Sequence, residues 1–136
     1  MAPTLLDTDT LSEVLKQKDQ RVRSRVADYL GQHAALTISA FTWFEVQRGL
    51  LEKHASRQID RFATFVNHCD VKPVSHEVFH RAAVLWADAR RSGRPRGDAD
   101  LLIAATAMAH GLTLATSNTR HFEWISGLSL DDWRAT

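Results

Sequence analysis

Asp100-Leu101-Leu102-Ile103-Ala104-Ala105-Thr106-Ala107-Met108-Ala109-His110-Gly111-Leu112-Thr113-Leu114-Ala115-Thr116-Ser117-Asn118 is the stretch of this chain that decides its fold. From Leu101 to Ala109 every position except Thr106 is apolar. A helix apolar on nearly all sides must be buried on nearly all sides. Gly111 is well placed to cap its C-terminus. Leu112 to Ala115 then reads as a strand, followed by a polar turn at Thr116-Ser117-Asn118-Thr119.

Working upstream, Ser92 to Gly97 carries two glycines and a proline and is the clearest loop in the chain. Val78, Ala82, Leu85 and Ala89 mark a long amphipathic helix that ends before Gly93, and Cys69 to Val74 holds a short strand. Ile59, Phe62, Ala63 and Val66 mark another helix. Trp43, Val46 and Leu50 share one face of a helix running from Thr42 to about His54, with Ser39 as a start signal. Ala35 to Ile38 is a second strand, and helices are expected over Thr8 to Lys16 and Arg21 to Leu30. At the front, Thr4-Leu5-Leu6 is a short apolar run that stops at Asp7, a buried strand with a polar end. No internal repeat or low-complexity segment interrupts the pattern.

Strands alternating with helices predict an α/β sandwich with a mainly parallel central sheet. Such sheets bind ligands beyond the carboxyl ends of their strands. Asp7 and the Thr116–Asn118 turn lie at such ends, Glu45 and Asp100 fall in the first turn or so of predicted helices, and helix starts that follow strands point toward the same edge. Four scattered polar segments therefore have a reason to converge.

The 136 residues, 44% of them hydrophobic and 24% charged, fit one globular domain spanning 1–136. The formal net charge of +1 does not announce a nucleic-acid binder. Basic residues nevertheless gather at Arg21, Arg23 and Arg25, and at Arg90, Arg91, Arg94 and Arg96 just before Asp98 and Asp100. The single cysteine, Cys69, rules out an intrachain disulfide and suits a reducing compartment. Met1-Ala2-Pro3-Thr4 lacks the features of a signal peptide, and no run of about 18 apolar residues is present, so a bacterial cytoplasmic protein is expected.

Acids gathered at one edge repel each other unless a cation compensates. Mg²⁺ or Mn²⁺ is the natural partner of carboxylate oxygens, and such a site suits phosphodiester hydrolysis. There is no His/Cys cluster of the zinc type, no GxxxxGK[ST] loop and no GxSxG elbow. Each acid also has a structural reading. Asp7 or Thr8 can cap the first helix, Thr10–Glu13 and Thr42–Glu45 are both spaced as capping boxes, and Asp98 can be an N-cap with Asp100 favoured by the helix dipole. Thr116 and Asn118 can be plain turn residues, His121 reads as structural, and the aromatic residues read as core or interface.

Three segments, in order, resemble the PIN-domain family and particularly its VapC toxins. They are Leu5-Leu6-Asp7-Thr8-Asp9-Thr10-Leu11-Ser12-Glu13, Ser39-Ala40-Phe41-Thr42-Trp43-Phe44-Glu45-Val46-Gln47-Arg48-Gly49-Leu50, and Gly97-Asp98-Ala99-Asp100-Leu101-Leu102-Ile103-Ala104-Ala105. The tail from Gly111 to Phe122, and Gly127 through Trp133, are similar to the family's last strand and ending. The resemblance implies a three-layer α/β/α sandwich and a metal-dependent endoribonuclease, the toxin of a toxin–antitoxin pair, cutting structured RNA such as tRNA. It implies that Asp7, Glu45 and Asp100 form the Mg²⁺ or Mn²⁺ site, with Asp98 an added acid, and that Asn118 stands where many relatives place a fourth acid. Thr116 and Asn118 would be secondary site residues, and Arg94 and Arg96 would hold RNA phosphate. The implied partners are a small VapB-like antitoxin, operator DNA through that complex, and a second copy of the chain. The rival readings are a catalytically silent PIN-like binding module and a small metal-dependent phosphatase.

Overall fold

Adjacent leucines at the start of the chain bury themselves in opposite directions. Leu5 is 0% exposed and Leu6 is 1% exposed, yet they belong to different hydrophobic cores. Successive side chains of a strand point to opposite faces, so an apolar pair of this kind demands cover on both sides. The computed structural model, which describes residues 1–135, supplies it.

The chain runs β1 (Thr4–Leu6), α1 (Thr8–Lys16), α2 (Gln20–Leu30), β2 (Thr37–Ser39), α3 (Ala40–Glu52), α4 (Ser56–Val66), β3 (Asp70–Lys72), α5 (His76–Arg91), α6 (Asp98–Ala109), β4 (Thr113–Ala115), a short 3₁₀ turn (Thr119–His121) and β5 (Leu130–Asp131). The strands form one sheet in the order β3-β2-β1-β4-β5, and every pairing among the described residues is parallel. Leu5 pairs with Thr37 on one side and Leu114 on the other, so β1 is the central strand. The expected α/β sandwich is the observed one.

One face is covered by α5 and α6. Val78, Ala82 and Leu85 pack with Leu101, Ile103, Ala104 and Ala107 against Leu5 and Leu114. Thr106, the one polar residue within the apolar run of α6, is fully buried and donates its hydroxyl to Leu102 O at 2.7 Å. Gly111 follows α6 with φ 64°, the left-handed conformation expected of a residue that ends a helix. The other face carries α1, α2 and α4. Leu11, Val14, Val22, Tyr29 and Phe62 pack there with Leu6, Ile38 and Trp133.

The C-terminal segment is stitched onto this second face. Trp133 is 1% exposed, Arg25 Nη1 lies 2.8 Å from Asp131 Oδ2, and Arg134 Nη2 lies 2.7 Å from Glu13 Oε1. Among the described residues no helix is long and apolar enough to cross a membrane.

Several element bounds differ from the sequence reading, those of α3, β3 and β4 among them, and three further differences have a clear physical reason. α2 begins at Gln20 because Asp19 caps it, accepting from Arg21 N and Val22 N. β2 sits at Thr37–Ser39 rather than Ala35–Ile38, its register set by pairing with β1 and β3. The two-residue strand β5 exists through pairing with β4 and is too short to show a period.

Leu114 lies at the middle of the core beneath α5 and α6. Leu114→Ala is expected to lower unfolding free energy by about 2–5 kcal/mol in urea titration. A loss below about 1 kcal/mol would show that this layer is loosely packed.

Candidate active site

The strand order reverses beside β1. β2 and β3 lie to one side of it, and β4 and β5 to the other. Splayed connections at such a reversal open a crevice beyond the carboxyl ends of the strands. Asp7 leaves β1 and Thr116 leaves β4 at this point. Asp7 N donates to Ala115 O at 3.0 Å, which carries the pairing one residue past the strands and sets the two segments side by side.

Asp7 is the N-cap of α1. Its backbone is extended (φ −74°, ψ 173°) and its Oδ1 accepts from Thr10 N at 2.7 Å. Thr10 donates its hydroxyl to Ala115 O at 3.1 Å, a second tie between α1 and β4. The Asp7 side chain is deeply placed, the residue being 6% exposed. Burial pushes its carboxyl above the ordinary 3.8, the Thr116 and Thr10 hydroxyls and the Thr10 N–H pull it back, and the charge of Asp9 adds a smaller push upward. Burial wins. Among the described residues no cation pairs with this carboxylate.

Glu45 comes from the other side. Ser39 caps α3, its Oγ accepting from Thr42 N at 2.9 Å, so the helix starts at Ala40. Thr42 is therefore not a cap, and Glu45 lies in the second turn rather than the first. The capping box at Thr42–Glu45 does not form, nor does that at Thr10–Glu13, because α1 is capped by Asp7. Freed from that task, Glu45 Oε1 accepts a 2.6 Å bond from Thr8 Oγ1. Thr42 Oγ1 is 3.2 Å from Thr8 Oγ1 and 3.2 Å from Ser39 Oγ. Each hydroxyl has one proton, so the bonds run in one direction, Ser39 to Thr42 to Thr8 to Glu45. Arg48 Nη2 stands 3.7 Å from Glu45 Oε2.

Asp100 sits in the first turn of α6, whose N-cap is Gly97 with no side-chain cap bond. Asp98 is thus one position inside the helix and does not cap it. It is exposed and lines an apolar groove between α5 and α6 with Phe79, Trp86 and Leu102. Asp100 Oδ2 lies 3.2 Å from His121 Nδ1, and that nitrogen lies 2.9 Å from Asn118 Nδ2. Asn118 N in turn donates to the buried Thr116 hydroxyl at 3.0 Å. Glu45 is thus tied to Thr8, the residue after Asp7, while Thr116, beside Asp7, is linked through Asn118 and His121 to Asp100. Sequence reasoning set His121 aside. Its signal was position alone, three residues after Asn118 on the turn that leaves the last long strand pairing.

Arg96 is at the rim, its Nε donating to His121 O at 3.3 Å. Arg94 is exposed on the loop between α5 and α6, and its backbone N closes α5 on Ala89 O at 2.8 Å.

Asp7, Glu45 and Asp100 offer hard oxygen donors, the set Mg²⁺ and Mn²⁺ prefer. Among the described residues no three His, Cys, Asp or Glu side chains are gathered into a ready-made cluster. Mg²⁺ does not require one, since it keeps several waters and uses one or two carboxylates plus substrate phosphate. The buried, uncompensated charge of Asp7 fits a cation.

A model of the PIN domain matches residues 4–127, and the chain belongs to this family. The tRNA(fMet)-specific endonuclease VapC of Shigella flexneri is 31% identical over 134 residues, spanning 98% of this chain and 99% of that protein. A VapC ribonuclease of Sinorhizobium fredii is 33% identical over 129 residues, spanning 88% of this chain and 89% of its own length. Among solved structures, DNA-bound VapBC from Salmonella typhimurium aligns with a TM-score of 0.86 at 28% identity, over 98% of this chain and 99% of that one.

Because the fold raises the Asp7 carboxyl above its unfolded value of 3.8, the native state holds that proton more tightly than the unfolded state. Stability contributed by this group is present at low pH and is lost as pH rises through the raised folded value. Asn keeps an oxygen for Thr10 N without the charge. Asp7→Asn is expected to melt above the wild type at pH 7, with the gap closing as pH falls toward 4. A lower melting temperature at pH 7 would make the charge a structural asset instead.

Proposed function

We propose that this chain is an endoribonuclease that acts as the toxin of a toxin–antitoxin pair and hydrolyses phosphodiester bonds in structured RNA with the help of Mg²⁺ or Mn²⁺. The observation that supports the reading is the buried Asp7 carboxylate just past β1, with Glu45 tied to its neighbour Thr8 and Asp100 tied through His121 and Asn118 to Thr116. The likeness to a VapC ribonuclease and to a tRNA(fMet)-specific endonuclease supports the activity and the substrate class.

In this reading Asp7 and Asp100 hold the ion, and Glu45 completes the site or orients the attacking water. A divalent ion supplies positive charge against the phosphate and makes water a better nucleophile. Thr8 fixes the Glu45 carboxylate through its 2.6 Å bond, so little reorganisation is needed when water arrives. Asp98, exposed at the mouth of the neighbouring groove, serves as an outlying acid. Buried Thr116 lies beside Asp7 with exposed Asn118 next to it, as secondary site residues, and Arg94 and Arg96 take RNA phosphate without reading sequence. Cleavage is by water, with no covalent enzyme intermediate.

The partner is a small antitoxin of the VapB kind, and operator DNA is bound through that complex, as the VapBC assemblies of Salmonella typhimurium and Rickettsia felis are DNA-bound. An apolar groove lined by Leu15, Val46 and Leu50 and edged by Lys16, Lys53 and Arg61 suits a partner helix with an apolar stripe and acidic flanks. Exposed Phe44 on α3 and Trp86 on α5 suit pairing with a second copy. The expected compartment is the bacterial cytoplasm.

The test is incubation of purified, antitoxin-free protein with total cellular RNA and Mg²⁺ or Mn²⁺, beside a folded Asp100→Asn control. Discrete fragments are expected from the wild type, abolished by a chelator. The variant should be slower by on the order of 10²-fold or more, the scale of losing one preorganised charge contact. Intact RNA from a folded, metal-loaded wild type would point to a silent binding module. Turnover of phosphomonoesters without RNA cleavage would point to a phosphatase.

A further inference from the structure

His121 is more firmly held than an exposed histidine needs to be for its own sake. Its side chain is 51% exposed, and it lies on a 3₁₀ turn of three residues. Yet its backbone N donates to Asn118 O at 3.1 Å. Its carbonyl oxygen accepts from Trp124 Nε1 at 2.7 Å and from Arg96 Nε at 3.3 Å. The next residue, Phe122, is anchored in the core beneath α5 and α6. The ring is thus presented from a fixed platform, and what it meets is Asp100.

Asp100 depends on that meeting. Among the described residues its carboxylate has one side-chain partner, His121 Nδ1 at 3.2 Å from Oδ2. Without it, an acid on the first turn of a helix is free to rotate among its staggered positions. With it, Oδ2 is committed and the other oxygen is left for a ligand. Partners of this outer kind orient carboxylates and imidazoles around metal and phosphate sites.

The same nitrogen lies 2.9 Å from Asn118 Nδ2, and one ring nitrogen cannot both donate to Asp100 and accept from an amide N–H. A half-turn about χ2 of Asn118 exchanges its amide oxygen and nitrogen. All three groups are satisfied if Asn118 presents its Oδ1 and the imidazole carries its proton on Nδ1, shared between Asp100 and Asn118.

We propose that His121 is a positioning residue of this site, which acts through Asp100: its Nδ1–H, held in that tautomer by Asn118, fixes the direction of the Asp100 carboxylate. The inference rests on the reading of Asp100 as a site acid, and it goes beyond that reading by assigning a role to a residue whose type and spacing match no acid. Asn118, in the position of a missing fourth acid, then works by orienting an imidazole.

The test has two arms. In the first, long-range ¹H–¹⁵N NMR of the whole chain, at a pH where the ring is neutral, reads which His121 nitrogen is protonated. The Nδ1–H form is expected in the wild type, with Asp100→Asn shifting the signals and Asn118→Ala lowering the Nδ1–H population. An Nε2–H ring indifferent to both variants would overturn the proposal.

In the second arm, Mn²⁺ affinity is measured without RNA by the electron paramagnetic resonance signal of free Mn²⁺, and RNA cleavage is measured separately. His121→Ala is expected to weaken Mn²⁺ binding and lower kcat by about 10–100-fold, with KM for RNA changed by less than about threefold. His121→Asn, whose Nδ2 can take the place of the ring Nδ1, should recover most of both. Wild-type metal affinity and kcat in His121→Ala would overturn the proposal. If instead the tautomer and Mn²⁺ results hold while no protein cuts RNA, the positioning role stands and the nuclease reading falls.

Discussion

The pairing of β1 with β4 is the constraint on which the rest depends. These strands are more than a hundred residues apart in sequence and in contact at Leu5 and Leu114. For them to meet, the chain lays β2 and β3 on one side of β1, then crosses with α5 and α6 and returns on the other side. α6 can make that crossing because it is apolar around almost its whole circumference and is content beneath other elements. Once the strands are joined, Asp7 and Thr116 are neighbours by geometry, and the crevice at the reversal is a by-product of the connections leaving in opposite directions.

Helix starts then do the finer placement. Asp7 and Ser39 each cap the helix that follows a strand, and in both cases the cap is the last or next residue of the strand itself. There is no slack between strand and helix, so side chains on the first two turns are set with the rigidity of the sheet. Thr8 and Glu45 inherit that rigidity, whereas Asp100 lies on α6, which follows a loop, and meets His121 instead. The acid with the deepest placement, Asp7, is also the one whose charge the fold opposes. A carboxylate kept where it costs stability is the pattern expected of a working group.

Much of this was legible in the sequence. Leu5-Leu6-Asp7, the all-apolar α6 and the glycine after it carry their structure openly, because burial on both faces leaves a compositional mark. The capping boxes were misleading for a definite reason. Ser39 and Thr42, like Asp7 and Thr10, are both able caps within one turn, and the choice between them is made by where the strand pairing ends, which spacing does not record. His121 was not legible at all. Its contact with Asp100 spans twenty-one residues and is fixed by Phe122, Trp124 and Arg96, none of which marks its neighbour as special.

The stitching of the segment from β4 to Trp133 has a bearing on the order in which such a molecule folds. Trp133 fills the core beside α1 and α2, and β4 and β5 belong to the last stretch of chain. Until the segment from Thr113 onward is in place, β1 lacks one of its two partner strands, and the buried Thr116 and Trp133 are missing from beside it. Domains dominated by such distant pairings gain little until the far segment arrives. The crevice beside β1 therefore forms late, once a segment more than a hundred residues away has folded back onto the sheet.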